Sequence, residues 1–209
     1  QMQGRCPSFV TQLTYICICF IMVLYVKSRM QKGNVSMSEN VNLCEYIESK
    51  CVHVEADCFD LEQIMESGQC FRIYKLSLQE QEKLCKSKGL ENCESMAWYR
   101  VMAADKKVFV CQNGVHLIFF CSKEEYKQFW CHYFDLDFDY RSYEKAIDAD
   151  DNYLKSAFAY GKGIRILNQD PWEMLITFII SQRKNIPAIR QAVESLSTTC
   201  GTCIDKENK

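Results

Sequence analysis

The 209-residue sequence has almost no charge imbalance, since 25 Lys and Arg residues stand against 27 Asp and Glu residues, a formal net charge of -2. A chain without a basic excess is not attracted to nucleic acid as a whole. Any nucleic-acid partner therefore has to meet a local cluster of Lys and Arg. With 48% hydrophobic residues, the chain can build one large domain or two small ones.

Metal-binding patterns are scarce as well, because the 14 cysteines have no repeated spacing and only three histidines accompany them. Cys111, Cys121 and Cys131 lie in apolar runs, so we interpret the cysteines as small core thiols in a reducing cytoplasm, with a disulfide framework as the alternative. Cys200 and Cys203 form a lone C-x-x-C, which we interpret as a loop rather than a zinc or redox site. The sequence predicts no metal and no cofactor.

A full-length membrane-spanning run is missing from the first 36 residues. The apolar stretch at 9–26 is cleanest over 15–26, which is 12 residues, whereas a transmembrane helix needs about 20. No small-residue cleavage site follows it. Three interpretations stay open: a start set too far upstream of Met37, a real membrane segment, or a buried helix.

The middle of the chain carries the signals of an antiparallel sheet. Strands are predicted at 69–76, 98–102 and 108–111. Asn113-Gly114 joins the last of them to a fourth, with residue types typical of a type I′ hairpin. The polar residues at 77–95 predict a loop. An antiparallel sheet of at least four strands follows.

Two helices are predicted beside this sheet. Asp60 is the N-cap of the first, which has Gln63 at the capping-box position and ends at Gly68. Ser122 and Glu125 form a capping box for the second. Aromatic residues on its face have helical spacing, and we interpret them as core rather than as a base-stacking surface: Tyr126, Phe129, Trp130 and Tyr133.

Acidic residues follow this helix at alternate positions, Asp135, Asp137 and Asp139. A calcium loop would need Gly and Glu where this chain has Tyr140 and Ala146, so we reject that site. The three aspartates are predicted to be solvated loop residues.

From residue 150 onward the pattern is helical. Asp170 is a predicted N-cap, with Pro171 at the first helical position and Glu173 completing a capping box. The helix that follows has no polar face, which predicts a place in the middle of a helical core. Asn185 is expected to cap the next helix, whose predicted buried stripe is Ile186, Ile189, Val193 and Leu196.

The turn between these two helices is the candidate binding site. Arg183 and Lys184 precede a helix N-terminus, where unpaired N–H groups and the helix dipole favour an anion such as a phosphate. The alternative is a solvated turn with two ordinary surface charges.

Several segments together resemble the 8-oxoguanine DNA glycosylases of the helix-hairpin-helix superfamily. They are "FDLEQIMESGQCFR", Trp98 with the Asn-Gly hairpin, "YFDLDFDY" and "GIRILNQDPWEMLITFIISQRKNIPAI", which span about Asp57 to Leu196. The resemblance implies an α+β fold, with an antiparallel sheet domain of TATA-binding-protein type followed by a helical glycosylase domain. We expect an N-terminal portion of a bacterial member, with an apolar leader at 1–36, a β domain at 37–149 and an incomplete helical domain at 150–209.

The resemblance also implies the partner and the site residues. Family members flip the damaged base out of duplex DNA, and Gly68 is expected to present a backbone carbonyl to the N7 hydrogen of 8-oxoguanine. Gln182, Arg183, Lys184 and Asn185 match the loop that fills the gap left by the flipped base. Ala188 stands where eukaryotic members have the arginine that reads the opposite cytosine.

The family's nucleophilic lysine and catalytic aspartate both fall beyond the equivalent of Leu196. The chain as given is therefore expected to be an inactive, truncated form of a glycosylase and AP lyase. A non-catalytic damaged-DNA-binding module is the alternative, and a membrane-anchored protein built on residues 9–26 is a third. We expect a cytoplasmic protein that is a monomer when full length and whose partner is double-stranded DNA containing oxidised guanine.

Overall fold

The computed structural model describes residues 46–48, 51–88 and 96–204. Residues Val41–Lys209 form one compact unit, separate from Gln1–Asn40. The apolar leader at 1–36 and the start at Met37 lie outside the described residues. No helix in the described part is long and apolar enough to cross a membrane.

Six strands form a single sheet. Neighbouring strands pair antiparallel in the spatial order β1-β2-β6-β5-β4-β3. The prediction of an antiparallel sheet with at least four strands is confirmed, although the strand expected at 69–76 is only three residues long. The strands are β1 Tyr46–Glu48, β2 Cys51–Glu55, β3 Ile73–Lys75, β4 Ala97–Ala103, β5 Lys106–Asn113 and β6 His116–Phe119.

The hairpin predicted at Asn113-Gly114 forms, but its turn is shifted by one residue. Asn113 pairs with His116, so Gly114 and Val115 are the two turn residues. Gly114 has φ of 58° and Val115 does not have a positive φ, which fits a type II′ turn rather than the predicted type I′. The Gln112 side chain supports this register by donating to the Gly114 carbonyl at 2.8 Å.

The helices occupy the intervals between and after the strands. The segment α3 is continuous but contains a π-helical turn over Tyr126–Trp130, which the sequence pattern did not predict. The helices are α1 Leu61–Glu66, α2 Leu78–Lys88, α3 (Lys123–Glu125, Tyr126–Trp130 and Cys131–Tyr133), α4 Arg141–Lys145, α5 Asn152–Tyr160, α6 Pro171–Ser181 and α7 Ile186–Cys200.

Helix α2 overturns the loop prediction over Leu78–Lys88, and residues 89–95 of the predicted loop lie outside the described residues. Its start is a reciprocal capping box, in which Glu80 N–H donates to Ser77 Oγ at 3.4 Å and Ser77 N–H donates to Glu80 Oε2 at 2.9 Å. The helix is polar because it covers the sheet with only a narrow stripe, chiefly Leu84 and Cys85. A helix with so few buried positions has a weak apolar period.

Side chains are buried on both faces of the sheet, because successive residues of β5 belong alternately to two different cores. Val108 and Val110 belong to the larger core, whereas Cys111 and the partly buried Phe109 belong to a second core that α2 covers. In the larger core, α1 and α3 pack against the opposite face of the sheet from α2. Tyr126, Trp130 and Tyr133 are almost fully buried there, which confirms that the aromatic stripe is core rather than a base-stacking surface.

The aspartates after α3 are not simply solvated, contrary to the prediction. Asp135 accepts a hydrogen bond from the Tyr140 hydroxyl at 2.9 Å, and Asp137 accepts one from Cys131 Sγ at 3.2 Å. Asp139 binds Arg141 Nε at 2.9 Å, and this guanidinium contact holds the pKa of the Asp139 carboxyl below its usual range. The three carboxylates therefore organise the loop that leads into α4.

Helix α6 is exposed, contrary to the prediction that it lies in the middle of a helical core. None of its residues is buried, and several large apolar side chains are between two fifths and seven tenths accessible: Trp172, Met174, Leu175, Phe178 and Ile179. In α7, Ile189 and Val193 are buried as predicted, but Leu196 is 43% exposed.

Cysteines in the described part mostly pack inside the protein. Seven of the nine are buried, in keeping with their interpretation as small core residues. Burial raises the pKa of the Cys121 thiol to about 12, which suppresses the reactive thiolate. Cys200 and Cys203 are exposed at the end of α7.

Candidate nucleic-acid interface

Gly68 lies directly after α1 in a conformation that favours glycine. Its φ is 76°, a left-handed value that a residue with a Cβ adopts only with strain. No donor in the described residues forms a hydrogen bond to the Gly68 carbonyl. Gly68 is partly exposed as a residue, so its carbonyl is a candidate acceptor for an external N–H group.

The next residue, Gln69, ties this segment to a distant part of the chain. Its Nε2 donates to the Arg165 carbonyl at 2.8 Å, and its Oε1 accepts from Leu167 N–H at 2.9 Å. Its own carbonyl accepts from Gln169 Nε2 at 2.7 Å. One side-chain amide therefore pairs with two alternate residues of an extended segment, as a neighbouring strand would.

Arg165 anchors that extended segment, and its side chain is 4% exposed. The guanidinium donates to four backbone carbonyls, those of Asp57, Cys58, Asp135 and Phe138. It also lies over the Tyr140 ring at 4.5 Å from the centroid. Burial lowers the pKa of the Arg165 guanidinium, but arginine remains charged because its usual value is so high. The segment at 164–169 is thus fixed in the core.

The α6–α7 turn is built from caps that the sequence predicted. Asp170 Oδ1 accepts from the N–H groups of Trp172 and Glu173 at the start of α6, each at 2.9 Å. At the start of α7, Asn185 Oδ1 accepts from Ala188 N–H at 3.0 Å. Between the helices Arg183 has φ of 56°, a left-handed conformation that ends α6 sharply and turns the chain into α7.

The four predicted DNA-binding residues are all exposed in this turn. Gln182 Nε2 bonds back to the Phe178 carbonyl at 3.2 Å. In the described part of the chain, the side chains of Arg183 and Lys184 make no hydrogen bond or ion pair. Two uncompensated cations beside the N-terminus of the 15-residue helix α7 create a local positive potential in a chain with no overall basic excess.

Phe71 brings the Gly68 segment and the turn together. Its ring is buried against Ile189 and Val193 of α7, with the partly buried Ile180 and Ile186 beside them. Arg190 of α7 also donates to the Met65 carbonyl of α1 at 3.4 Å. The Gly68 carbonyl and the basic turn therefore belong to one packed surface region.

Glu173 has a different role from the predicted one. Its carboxylate does not complete a capping box but accepts from Arg72 Nη1 at 3.5 Å and from Ala104 N–H at 3.2 Å. These bonds tie the start of α6 to β3 and to the β4–β5 turn. The α6–α7 pair is consequently held against the sheet as well as against Phe71.

Residues 51–175 match the family model described as the 8-oxoguanine DNA glycosylase N-terminal domain. The chain belongs to this family. A sequence match to a known protein supports the family. This chain is 42% identical over 59 residues to the N-glycosylase/DNA lyase of Saccharomyces cerevisiae. That match covers 26% of this chain and 16% of the yeast protein.

Solved glycosylase structures match the fold over most of the chain. The structure of MBOgg1 in complex with a low-affinity DNA ligand has a TM-score of 0.67 and 32% identity, covering 81% of this chain and 53% of the other. The Clostridium acetobutylicum 8-oxoguanine glycosylase/lyase without DNA has a TM-score of 0.65 and 30% identity, covering 79% and 52%. This chain thus spans about half the length of these relatives.

Sequence reasoning missed two residues that hold the Gly68 segment in place, Gln69 and Arg165. Both act through side-chain bonds to backbone groups about a hundred residues away, and such long-range bonds leave no local signal. The structure shows no group of three or more His, Cys, Asp or Glu side chains placed to hold a metal among the described residues.

Proposed function

We propose that this chain is the damage-recognising N-terminal portion of an 8-oxoguanine DNA glycosylase and AP lyase that acts in base-excision repair. The observation that carries the proposal is the exposed pair Arg183 and Lys184, which has no ion-pair partner among the described residues, in the turn before α7, the helix that packs on Phe71 close in sequence to Gly68. The six-stranded sheet supports an N-terminal domain of TATA-binding-protein type.

Recognition of the lesion follows from the chemistry of the base. An 8-oxoguanine carries a hydrogen on N7, whereas N7 of guanine is an acceptor. Once the base is flipped out of the duplex, the Gly68 carbonyl would accept a hydrogen bond from the lesion and repel the lone pair of guanine. The Clostridium acetobutylicum relative was solved with double-stranded DNA containing cytosine opposite 8-oxoG, at 31% identity to this chain over 79% of its length, which supports duplex DNA as the partner.

The turn would hold the duplex at the gap left by the flipped base. Arg183 and Lys184 would contact phosphates, and the N-terminal N–H groups of α7 would add to the same positive potential. Ala188 in the first turn of α7 has no side-chain donor. We propose that discrimination for cytosine opposite the lesion is correspondingly weak.

Excision would need a catalytic pair that the described residues of the turn do not place together. A lysine nucleophile attacks the sugar and forms a Schiff base, with a carboxylate nearby. Lys184, the lysine of the turn, makes no ion pair with a carboxylate in the described residues. We therefore propose that these residues recognise damage without cutting. The matched relatives are glycosylases or lyases by name, so a module with no catalytic history has less support.

The test of the interface is the salt dependence of duplex binding for Arg183→Ala/Lys184→Ala, followed by fluorescence anisotropy. Each phosphate contact contributes about 0.9 to the slope of log K against log salt, so the slope should fall by roughly two and the affinity by about tenfold. The matched control is Lys83→Ala/Lys86→Ala on α2, where both lysines are exposed. Equal effects of the two double substitutions would refute the turn as the DNA contact.

The absence of cutting is tested by borohydride trapping on an 8-oxoguanine duplex. We expect no covalent adduct with this chain under conditions that saturate binding. An adduct would show that a lysine within residues 1–209 is the nucleophile, and peptide mapping would then identify it.

A further inference from the structure

The carbonyl of Gly68 belongs to the same rigid plane as the amide of Gln69. A peptide unit is planar, so the direction of that carbonyl is set by ψ of Gly68 and φ of Gln69 together. Gly68 imposes little restraint because glycine is conformationally permissive. Any restraint on the carbonyl direction must therefore come from the Gln69 side.

Gln69 is restrained at four points, one of which is the bond from its Nε2 to Ser67 Oγ at 3.0 Å. Its side chain bonds both Arg165 O and Leu167 N–H, and its own carbonyl is held by Gln169 Nε2. A rotation of the Gly68–Gln69 peptide plane would strain these bonds. The restraint thus acts on the residue that shares its peptide with the recognition carbonyl.

The segment that receives these bonds is itself fixed. Arg165 is anchored by four carbonyls, Ile166 N–H donates to the Tyr140 hydroxyl at 2.9 Å, and Asn168 N–H donates to the Tyr133 carbonyl at 2.9 Å. The Tyr133 and Tyr140 rings are buried. Gln69 is therefore tied to a rigid part of the core rather than to a mobile loop.

We infer that Gln69 is a positioning residue for lesion recognition, whose side-chain amide fixes the direction of the Gly68 carbonyl and so sets the preference for 8-oxoguanine over guanine. This inference rests on the proposed function. Only glutamine fits the role, because the amide must donate to Arg165 O and accept from Leu167 N–H at once, and asparagine is one methylene shorter.

The experiment compares the affinity of the 209-residue chain for a duplex with 8-oxoguanine opposite cytosine and for the same duplex with guanine. The variant Gln69→Glu keeps the acceptor and the size of the side chain but loses the donor to Arg165 O. The matched control is Gln81→Glu in α2, whose Nε2 donates to the Leu76 carbonyl at 2.9 Å beside the other sheet face. Each variant loses one amide-to-carbonyl bond, and Gln69→Glu also loses the bond from Nε2 to Ser67 Oγ.

We expect the wild-type chain to prefer the lesion by about tenfold, and Gln69→Glu to reduce this preference to about twofold. Affinity for the undamaged duplex should stay within about twofold, since the basic turn is intact, and Gln81→Glu should keep the full preference. A general loss of stability would lower both affinities together. The ratio of the affinities for the lesion duplex and the undamaged duplex therefore separates the positioning role from a loss of stability.

A Gln69→Glu chain that is folded by circular dichroism and retains the wild-type preference would overturn the inference and leave the proposed function standing. A wild-type chain with no preference would overturn both. If Gln69→Glu does not fold, Gln69→Met takes its place, because it keeps the length of the side chain without adding a charge and removes both amide bonds to the 164–169 segment. An unchanged preference in that variant would equally overturn the inference.

Discussion

Gly163 shows how a single missing side chain allows two segments to meet. Its carbonyl accepts from Asp60 N–H at 2.8 Å, and its N–H donates to Gln63 Oε1 at 3.1 Å. A Cβ built on Gly163 would lie 2.3 Å from Asp60 Cβ. The start of α1 and the segment that carries Arg165 are in contact because this position has no side chain.

The substitution Gly163→Ala should therefore destabilise the protein. Relieving the clash requires backbone movement that breaks the bonds to Asp60 and Gln63, at a cost of about 2–3 kcal/mol in the free energy of unfolding. The midpoint of urea unfolding measures the change.

Gly161→Ala is the matched control for this prediction. A Cβ there would meet its nearest neighbours, Ala157 O and Ile164 Cδ1, at an ordinary 3.6 Å, so the change should stay below about 1 kcal/mol. Equal midpoints for the two variants would contradict the close approach at Gly163.

At the scale of elements, the N-cap residues of the helices could be predicted from the sequence, but the hydrogen bonds of the capping-box side chains could not. Asp60, Ser122 and Asp170 cap α1, α3 and α6 as predicted, because a cap needs only the next three residues. The predicted capping-box partners bond elsewhere: Gln63 to Gly163 N–H, Glu125 to Trp130 Nε1, and Glu173 to Arg72 and Ala104. Tertiary contacts took Gln63 and Glu173 away from the capping-box bond, whereas Glu125 bonds to a residue of its own helix.

Two helical features were missed for different reasons. The start of α2 had a usable local signal, the Ser-x-x-Glu of Ser77 and Glu80, which its polar sequence obscured. The π-helical turn over Tyr126–Trp130 had no such signal. It forms within a segment whose large aromatic rings are packed against the sheet and against each other, and this packing depends on the whole core.

The first turn of α7 determines the predicted response to the base opposite the lesion. The wild-type chain should bind 8-oxoguanine opposite each of the four bases with dissociation constants within about threefold. Ala188→Arg adds a donor at the position where, by the resemblance, eukaryotic members have an arginine. It should raise the preference for cytosine by about tenfold, which corresponds to one base-edge contact. Anisotropy titrations with four duplexes measure this.

Gln191→Arg provides the control for charge, since it adds the same cation to an exposed position of α7 beyond the first turn. It should strengthen binding to all four duplexes alike. The same cytosine preference in both variants, or strict preference in the wild type, would refute the role given to Ala188.

At the scale of the whole molecule, helices cover both faces of the sheet, whereas apolar side chains of the α6–α7 pair are exposed. Ile176, Ile179 and Leu196 line an apolar groove of about 480 Å³ between the two helices. The sequence predicted an apolar α6 correctly but not its exposure, because hydrophobic pattern reports a tendency to bury and not which surface is present to bury against. Exposed apolar area of this extent promotes association.

We therefore predict concentration-dependent self-association of the 209-residue chain in sedimentation velocity. Leu175→Ser/Ile179→Ser should shift it toward monomer, because these two side chains are 48% and 59% exposed on α6. Leu78→Ser is the control, since Leu78 is 75% exposed but lies on α2, away from the groove. A wild-type chain whose sedimentation does not change with concentration would contradict the prediction.

We propose that the 209-residue chain reads oxidised guanine in duplex DNA without cutting it. The most direct measurement is a competition titration, in which unlabelled duplexes with 8-oxoguanine or guanine opposite cytosine displace a labelled duplex at fixed salt. We expect that about one tenth as much lesion duplex suffices for half displacement, because one base-edge contact is worth about 1–3 kcal/mol. Equal displacement by both duplexes would contradict it.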